Sequence, residues 1–410
     1  MGERSLVLTE HQLSDPVELT VQERDAVRSA VDGLSVVPEA GTTDTYRLTC
    51  GSTVGVVTVG DLVLELRPKV GLAPLLFMLA YRSSPATWRS ATSLAADATL
   101  SEALVDLFAR FVHDATRGGL LHSYRREQDA LTTVRGRVRM TDQMSRRRGL
   151  ALPVEVEFDE FTPDVLENQI LRSAVDRLRR LPLRSETSTR SLTRLHHVLH
   201  GISPLRGSRY VPEPRWTRLN AHYRPSVSLA SALLVGGLEA RAGAHAAAGI
   251  LVDMNALFED FVRTALREAL GVSERELPSG RSGPRHWLDL DHRVPLEPDL
   301  TWWRGGRCVF VGDCKYKRAH GSVPNADVYQ MLAYLTAYDL HEGLLLYAAG
   351  EADVEDVRIA IANKRVRVRT VDVAGDPESV LSAVADVAEV VRAQHQAGSS
   401  GIDSDLATSA

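Results

Sequence analysis

PDLTWWRGGRCVFVGDCKYK, residues 298–317, reads as a β-hairpin. Arg304-Gly305-Gly306-Arg307 makes the turn, Pro298–Trp303 the first strand and Cys308–Lys315 the second. Val309, Phe310 and Val311 put apolar residues on both faces of the second strand, as in a central strand covered from both sides. Asp299 stands at the start of the hairpin. Asp313 and Lys315, two apart at its end, share a face about 7 Å from one another. Cys314 between them must point the other way, into packing rather than chemistry. A carboxylate on one strand and an Asp-x-Lys on the next suit a hard divalent ion such as Mg²⁺ with an ammonium beside it. Such an ion polarises a phosphodiester and lowers the pKa of a bound water. The lysine then orients that water or balances charge on the phosphate. An Asp-x-Lys alone is far more often a surface ion pair, so the elements around it decide.

Helices flank the hairpin. Met254–Leu270 carries Leu257, Phe258, Phe261, Val262, Ala265, Leu266 and Ala269 on one stripe at helical spacing. Glu259 flanks that stripe and can reach the end of a neighbouring sheet, whereas Asp260 points nearly opposite it, into water. Trp287–His292 and Val294–Leu296 read as strand. Ala326–Leu340 reads as a helix, with Asn325 or Ser322 as its cap and with Gln330 and Tyr334 one turn apart on one face. Leu344–Tyr347 is another buried strand. The order is helix, strand, strand, strand, helix, strand. Along it come Glu259, Pro298-Asp299, Asp313-Cys314-Lys315 and Gln330-x-x-x-Tyr334. In these motifs the chain resembles the PD-(D/E)XK nuclease superfamily, with Asp313 where many members carry Glu. The resemblance implies an α/β, restriction-endonuclease-like domain with an αβββαβ core. In it Glu259, Asp299 and Asp313 hold Mg²⁺, and Lys315, Gln330 and Tyr334 complete the catalytic set.

The preceding residues read as an α+β region. Ser5–Thr9, Val17–Thr20, Tyr46–Thr49, Val54–Val59 and Leu62–Leu66 are strands around a Val21–Asp32 helix, forming a small antiparallel sheet in a module over residues 1–75. Residues 76–228 mix helices (Ser101–Thr116, Pro163–Leu181, Ser188–His200) with strands at Leu120–Tyr124, Thr132–Met140 and Val154–Phe158. The second of these strands carries Arg135, Arg137 and Arg139 on one face. The prolines from Pro204 to Pro225 mark a boundary, and Leu229–Ala248 reads as a helical linker opening a nuclease domain over 229–394. Residues 395–410, mostly Gly, Ser, Asp and Ala, read as a disordered tail. Gly55-Val-Val-Thr-Val-Gly-Asp61, Leu66-Arg-Pro-Lys69, Arg135-Gly136-Arg137 and Phe158-Asp-Glu-Phe-Thr-Pro-Asp164 with Asn168 resemble the nuclease subunits of McrBC modified-cytosine restriction systems. That similarity runs from about residue 40 to about residue 350. It implies a McrB-like AAA+ GTPase hexamer as partner, which reads the modified base and uses the GTP. The McrC-like chain cuts double-stranded DNA and stimulates the motor, to which its N-terminal region docks.

Composition sets the bounds. The 410 residues, 44% hydrophobic and 25% charged, suit two or three globular domains. No apolar run reaches the ~18 residues of a membrane span, and Met1–Glu10 has no signal-peptide pattern. Cys50, Cys308 and Cys314 are too scattered for a zinc site or a disulfide framework. A cytoplasmic protein without membrane contact is expected. The net charge of −5 excludes a wholly basic nucleic-acid clamp. Arg117–Arg148 nevertheless carries nine Arg against three acids, and Arg177–Arg218 ten against two. These blocks are candidate surfaces for a polyanion and would touch only the DNA backbone. Only four of the 48 basic residues are Lys: Lys69, Lys315, Lys317 and Lys364. Two of them share the pentapeptide Asp313–Lys317, a sign that a compact ammonium is wanted there. Pro68-Lys69 shows no chemistry of its own. His196, His197 and His200 lack a ligating partner and read as a helix face, and Trp302-Trp303 as one core and one edge residue. Two rivals stay open: a non-catalytic activator of an AAA+ GTPase, and a PD-(D/E)XK nuclease serving a different defence or repair motor. The full set Glu259, Asp299, Asp313 and Lys315 speaks against the first; only the neighbouring gene separates the second.

Overall fold

The computed structural model describes residues 4–86, 88, 99–147, 152–206, 211–242, 245–279, 283–319, 323–350 and 356–408. Of the residues singled out above, Arg148, Ser322 and the last two of the tail fall outside these. The chain forms two compact units. One combines Met1–Leu104 with Leu238–Ala410, and the other is Val105–Gly237.

The first unit opens with β1 (Arg4–Thr9), β2 (Val17–Glu18), α1 (Val21–Ala30), β3 (Ser35–Pro38), β4 (Thr45–Thr49), β5 (Thr53–Val59), β6 (Leu62–Arg67) and α2 (Leu72–Ser83). Thr20 and Glu23 start α1 with a reciprocal capping box. Next comes α3 (Leu100–Ala115), followed in the second unit by β7 (Ser123–Leu131), β8 (Arg137–Val138), α4 (Met140–Arg147), β9 (Val154–Thr162), α5 (Leu166–Leu178), α6 (Glu186–Val198) and α7 (Arg224–Val235). The chain then returns to the first unit through β10 (Gly237–Ala242), β11 (His245–Asp253), α8 (Met254–Leu270), β12 (His286–Trp287) and β13 (Pro295–Leu296). It continues with β14 (Leu300–Arg304), β15 (Arg307–Ala319), α9 (Asn325–Ala337), β16 (Glu342–Gly350), β17 (Val357–Ile359), β18 (Lys364–Thr370) and α10 (Pro377–Thr408).

Two five-stranded sheets frame the first unit. The N-terminal sheet has the order β1-β6-β5-β11-β10. β1 runs parallel to β6, and β11 runs antiparallel to β5. This differs from the expected small antiparallel module and from the helical linker at 229–248. α7 ends at Val235, ahead of Gly236-Gly237, and the following small residues pair as strand instead. Glycines permit that pairing. A Cβ on Gly55 (φ +151) would lie 2.1 Å from the Ile250 carbonyl oxygen, and one on Gly249 2.3 Å from that of Val56. The division expected at residues 75 and 228 therefore differs from the compact units, because β11 adds to the sheet of the first seventy residues.

The second sheet has the order β14-β15-β16-β18-β17. Its three inner strands are parallel and its edges antiparallel. α9 covers one face, where Met331, Tyr334 and Leu335 pack with Val311, Leu345, Tyr347 and Val366. α8 covers the other, where the Phe258 ring lies 6.2 Å from that of Tyr316. Four strands, not the expected three, separate α8 from α9 among the described residues, and the sheet differs as well. Of the strands expected before α9, only β14 and β15 enter it. Trp287–His292 breaks into a turn, in which Asp289 accepts from the Arg293 and Val294 amides at 2.9 and 2.7 Å and Leu290 is fully exposed. Among the described residues β12 and β13 pair only with each other.

Smaller expectations also shift. Among the described residues no side chain caps α9, which starts behind Pro324. The strand expected at Thr132–Met140 shrinks to Arg137–Val138, since Gly136 turns with φ +71 and Met140 begins α4. Arg135, Arg137 and Arg139 do not form one face, as Arg135 lies over the Phe158 ring and Arg139 pairs with Asp142. The expected disordered tail is helical to Thr408, because no proline interrupts the chain after Pro377. No helix among the described residues is long and apolar enough to cross a membrane.

Candidate functional site

Strand alternation builds the site. Asp313 and Lys315 lie on the α9 face of β15, and the Lys315 ammonium stands 2.5 Å from Asp313 Oδ2. Lys315 also donates to Gln330 Oε1 at 2.8 Å. Gln330 Nε2 donates to the Tyr334 hydroxyl at 3.0 Å, and that hydroxyl donates to the Glu297 carbonyl at 3.2 Å. Four side chains from β15 and α9 thus form one line, anchored on the backbone ahead of Pro298. Asp299 enters from the head of β14, where its Oδ2 accepts from the Cys314 amide at 2.7 Å. Glu259 reaches in from α8. The six residues singled out in the sequence are brought together, and all but Tyr334 line one cleft of about 490 Å³.

The carboxyls strain against each other. Burial, then the neighbouring charges of Asp313 and Glu259, push Asp299 up to about 8. Burial likewise raises Asp313, which is only 2% exposed. Burial also raises Glu259, with Asp260 adding and Arg263 opposing. Burial disfavours the Lys315 ammonium, yet Asp313, Asp327 and Asp299 together hold its pKa above the ordinary value. Three crowded carboxyls that resist sharing negative charge offer oxygen donors of the type that a hard divalent cation takes. Among the described residues no group of three or more His, Cys, Asp or Glu is arranged to hold a metal ion. Cations of the chain stand there instead, Lys315 on Asp313 and Arg263 on Glu259.

Two residues depart from expectation. Asp260 faces water only in part, its side chain 30% exposed. Its carboxylate lies between Arg263 at 2.7 Å and Arg82 of α2 at 3.1 Å. A helical wheel shows one helix and not its neighbour: α2 packs on α8 through Phe77 and Tyr81, whose rings lie 5.3 and 5.5 Å from that of Phe261. Cys314, expected in packing, is buried and is also one of the residues that line the cleft. Burial and the surrounding carboxylates raise its thiol pKa strongly, so it stays protonated.

Arg263 escaped sequence reasoning. It is 2% exposed, pairs with Glu259 and Asp260, and donates to the Asp299 carbonyl through Nε and Nη2 at 3.3 and 3.2 Å. The available signal was an Arg four residues after Glu259, on the stripe edge. Lys69, assigned no chemistry, stacks its ammonium 4.5 Å from the Tyr316 ring centre. Lys364 donates to the carbonyls of Leu335 and Leu340 at the end of α9. Trp302 is core and Trp303 packs on His286 and Tyr338.

The first Arg block is not a bare basic surface. Arg126, Arg135, Arg146 and Arg147 pair with Glu155, Glu157, Asp159 and Glu160 of β9, just beyond the counted window. The Asp164 and Asn168 motif is architectural as well. Asp164 holds Arg125, Gln169 and Ser203, while Asn168 donates to the Leu121 and Pro163 carbonyls. His196 lies 3.0 Å from Arg172 and 3.6 Å from Asp176, on a helix face as expected.

The family model of McrBC 5-methylcytosine restriction system components matches residues 48–348. A refined half-complex from a tetradecameric assembly of Thermococcus gammatolerans McrB AAA+ hexamers with bound McrC contains a chain 17% identical to this one. It is matched over 93% of this chain and 98% of that one, with a TM-score of 0.54, a likeness of fold. A cryo-EM structure of the Thermococcus gammatolerans McrBC complex is more distant, at 21% identity over 65% of this chain and 88% of that one, with a TM-score of 0.43. No curated protein sequence matches the chain.

Proposed function

The chain belongs to the family of McrBC 5-methylcytosine restriction system components, and from that premise we propose that it is the subunit that cuts double-stranded DNA. In this reading it depends on Mg²⁺ and serves a modification-dependent, type IV restriction system. A McrB-like AAA+ GTPase hexamer is its partner, reads the base and spends the GTP. The observation that carries the reading is the meeting of Asp299, Asp313 and Lys315 on adjoining strands, with Glu259 above them.

Glu259, Asp299 and Asp313 would hold the ion. Bound there, Mg²⁺ supplies polarisation of the phosphodiester and a bound water of lowered pKa. The chain's own residues do the rest. Lys315, kept charged by Asp313, presents its ammonium to the phosphate or to the attacking water. Gln330 and Tyr334 hold that ammonium in place through their hydrogen-bonded line. Arg263 steadies Glu259 and the backbone of Asp299 from behind. Protonated Cys314 is no nucleophile.

The test is DNA cleavage by the full chain with its partner, GTP and Mg²⁺. Asp299→Ala, Asp313→Ala and Lys315→Ala each lower cleavage on the order of 100-fold or more, while stimulated GTP hydrolysis persists. Wild-type cutting by any of the three sinks the site assignment.

A further inference from the structure

The cleft has a wall that comes from the N-terminal sheet. His11, just after β1, and Ser52, just before β5, line it together with Asp299, Asp313, Lys315 and Lys317. His11 sits at φ +60, a left-handed backbone that glycine occupies more readily. Its amide donates to the Cys50 carbonyl at 2.8 Å, which holds that conformation. Its Nε2 stands 3.1 Å from Ser52 Oγ. A strained position that keeps a functional side chain exposed over a cleft points to a use for that side chain.

The wall is fastened to the reacting strand. Glu10 is 1% exposed, and its Oε1 accepts from the Tyr316 hydroxyl and from the Lys69 amide, both at 2.8 Å. Tyr316 follows Lys315 directly. A buried carboxylate therefore fixes His11, its chain neighbour, in register with the ammonium of Lys315.

Charge bookkeeping in the cleft leaves a vacancy for a donor. Lys315 is committed to the phosphate being cut or to its attacking water, and Lys317 is engaged by Asp327 at 2.8 Å. A polyanion that follows the cleft past three carboxylates needs hydrogen-bond donors on the far side. Among the described residues the imidazole of His11 and the hydroxyl of Ser52 have only each other as side-chain partners.

We propose that His11 and Ser52 bind a backbone phosphate of the DNA strand next to the one being cut, so that the N-terminal sheet is part of the nuclease cleft. The proposal rests on the nuclease reading above. It is tested with the full chain, its partner, GTP and Mg²⁺, by measuring initial cleavage rates against DNA concentration. His11→Gly and Ser52→Ala each raise KM for DNA about 3- to 10-fold, the loss of one hydrogen-bonding contact, with kcat within about twofold and GTPase stimulation unchanged. Glycine suits the left-handed backbone, so His11→Gly melts no lower than wild type; a defect of folding would lower the melting temperature instead. His11→Asn, which keeps a donor and tolerates that backbone, recovers part of the KM. Asp313→Ala runs in parallel. If Asp313→Ala cuts like wild type, the nuclease reading falls. If it is inactive while His11→Gly and Ser52→Ala keep wild-type KM, the phosphate contact is wrong and the nuclease reading stands.

Discussion

At the scale of residues, Arg263 shows how the site is held. Its guanidinium is buried beside two carboxylates and a carbonyl. Arg263→Ala leaves Glu259 and Asp260 without their buried cation and costs about 3 kcal/mol of stability, read as a lowered denaturation midpoint; a loss below about 0.5 kcal/mol means the pairs contribute only as surface pairs do. The carboxyls give a second outcome. Asp299 titrates near 8 in the fold and near 3.9 in an unfolded chain. The folded state therefore binds more protons between those values, and stability without metal falls as pH rises from about 4 to about 8. In the proposed site a bound Mg²⁺ would take the place of the proton and flatten that slope. Melting curves over this pH range, with and without Mg²⁺, check it; a flat metal-free profile means that the carboxyls are not strained. The placement of Asp313, Lys315 and Asp299 was legible because alternation along a strand and a two-glycine turn act within twenty residues. The surroundings of Asp260 and Cys314 were not, since each depends on a helix that packs from elsewhere.

At the scale of elements, α8 is the clearest case of sequence reading. Its apolar stripe predicts Met254–Leu270, the bounds that it has, and in the structure Gly271 closes it in the left-handed conformation. β10 and β11 are the opposite case. Their Ala-rich sequence suits a helix, and pairing in the sheet, with β5 on one side of β11 and β10 on the other, makes it strand. Gly55→Ala tests that pairing, because a methyl group there meets the Ile250 carbonyl at 2.1 Å. We expect a loss of roughly 2 kcal/mol or more, seen as a lower melting temperature, whereas Gly118→Ala, with open space around it, stays within about 0.5 kcal/mol of wild type. Equal melting of the two variants contradicts the close approach. The Trp287–Leu296 segment was misread because Trp, Leu and Val satisfy a strand pattern locally, while Asp289 closes a turn through backbone amides that no apolar pattern reveals.

At the scale of the whole molecule, the first unit is made from both ends of the chain. A fragment beginning near Leu229 loses β5 beside β11, α2 beside α8, and Glu10 beneath Tyr316. It is expected to be insoluble or to melt without cooperativity, although it contains every residue of the candidate metal site; a sharp calorimetric transition from that fragment contradicts the assignment of its partners. The sequence by itself determined what acts over short range. It set the hairpin, the periodic helices and the types of residue that gather at the end of β15, because alternation and helical spacing depend on neighbours a few positions away. It also carried the family resemblance, through motifs that survive as short strings. Only the tertiary structure decided which acids neutralise the first Arg block, that β11 completes the N-terminal sheet, and that His11 and Ser52 stand over the cleft. Most of these are contacts between segments tens to hundreds of residues apart. Such contacts are set by which buried surfaces and open strand edges find one another, and no local pattern encodes that choice.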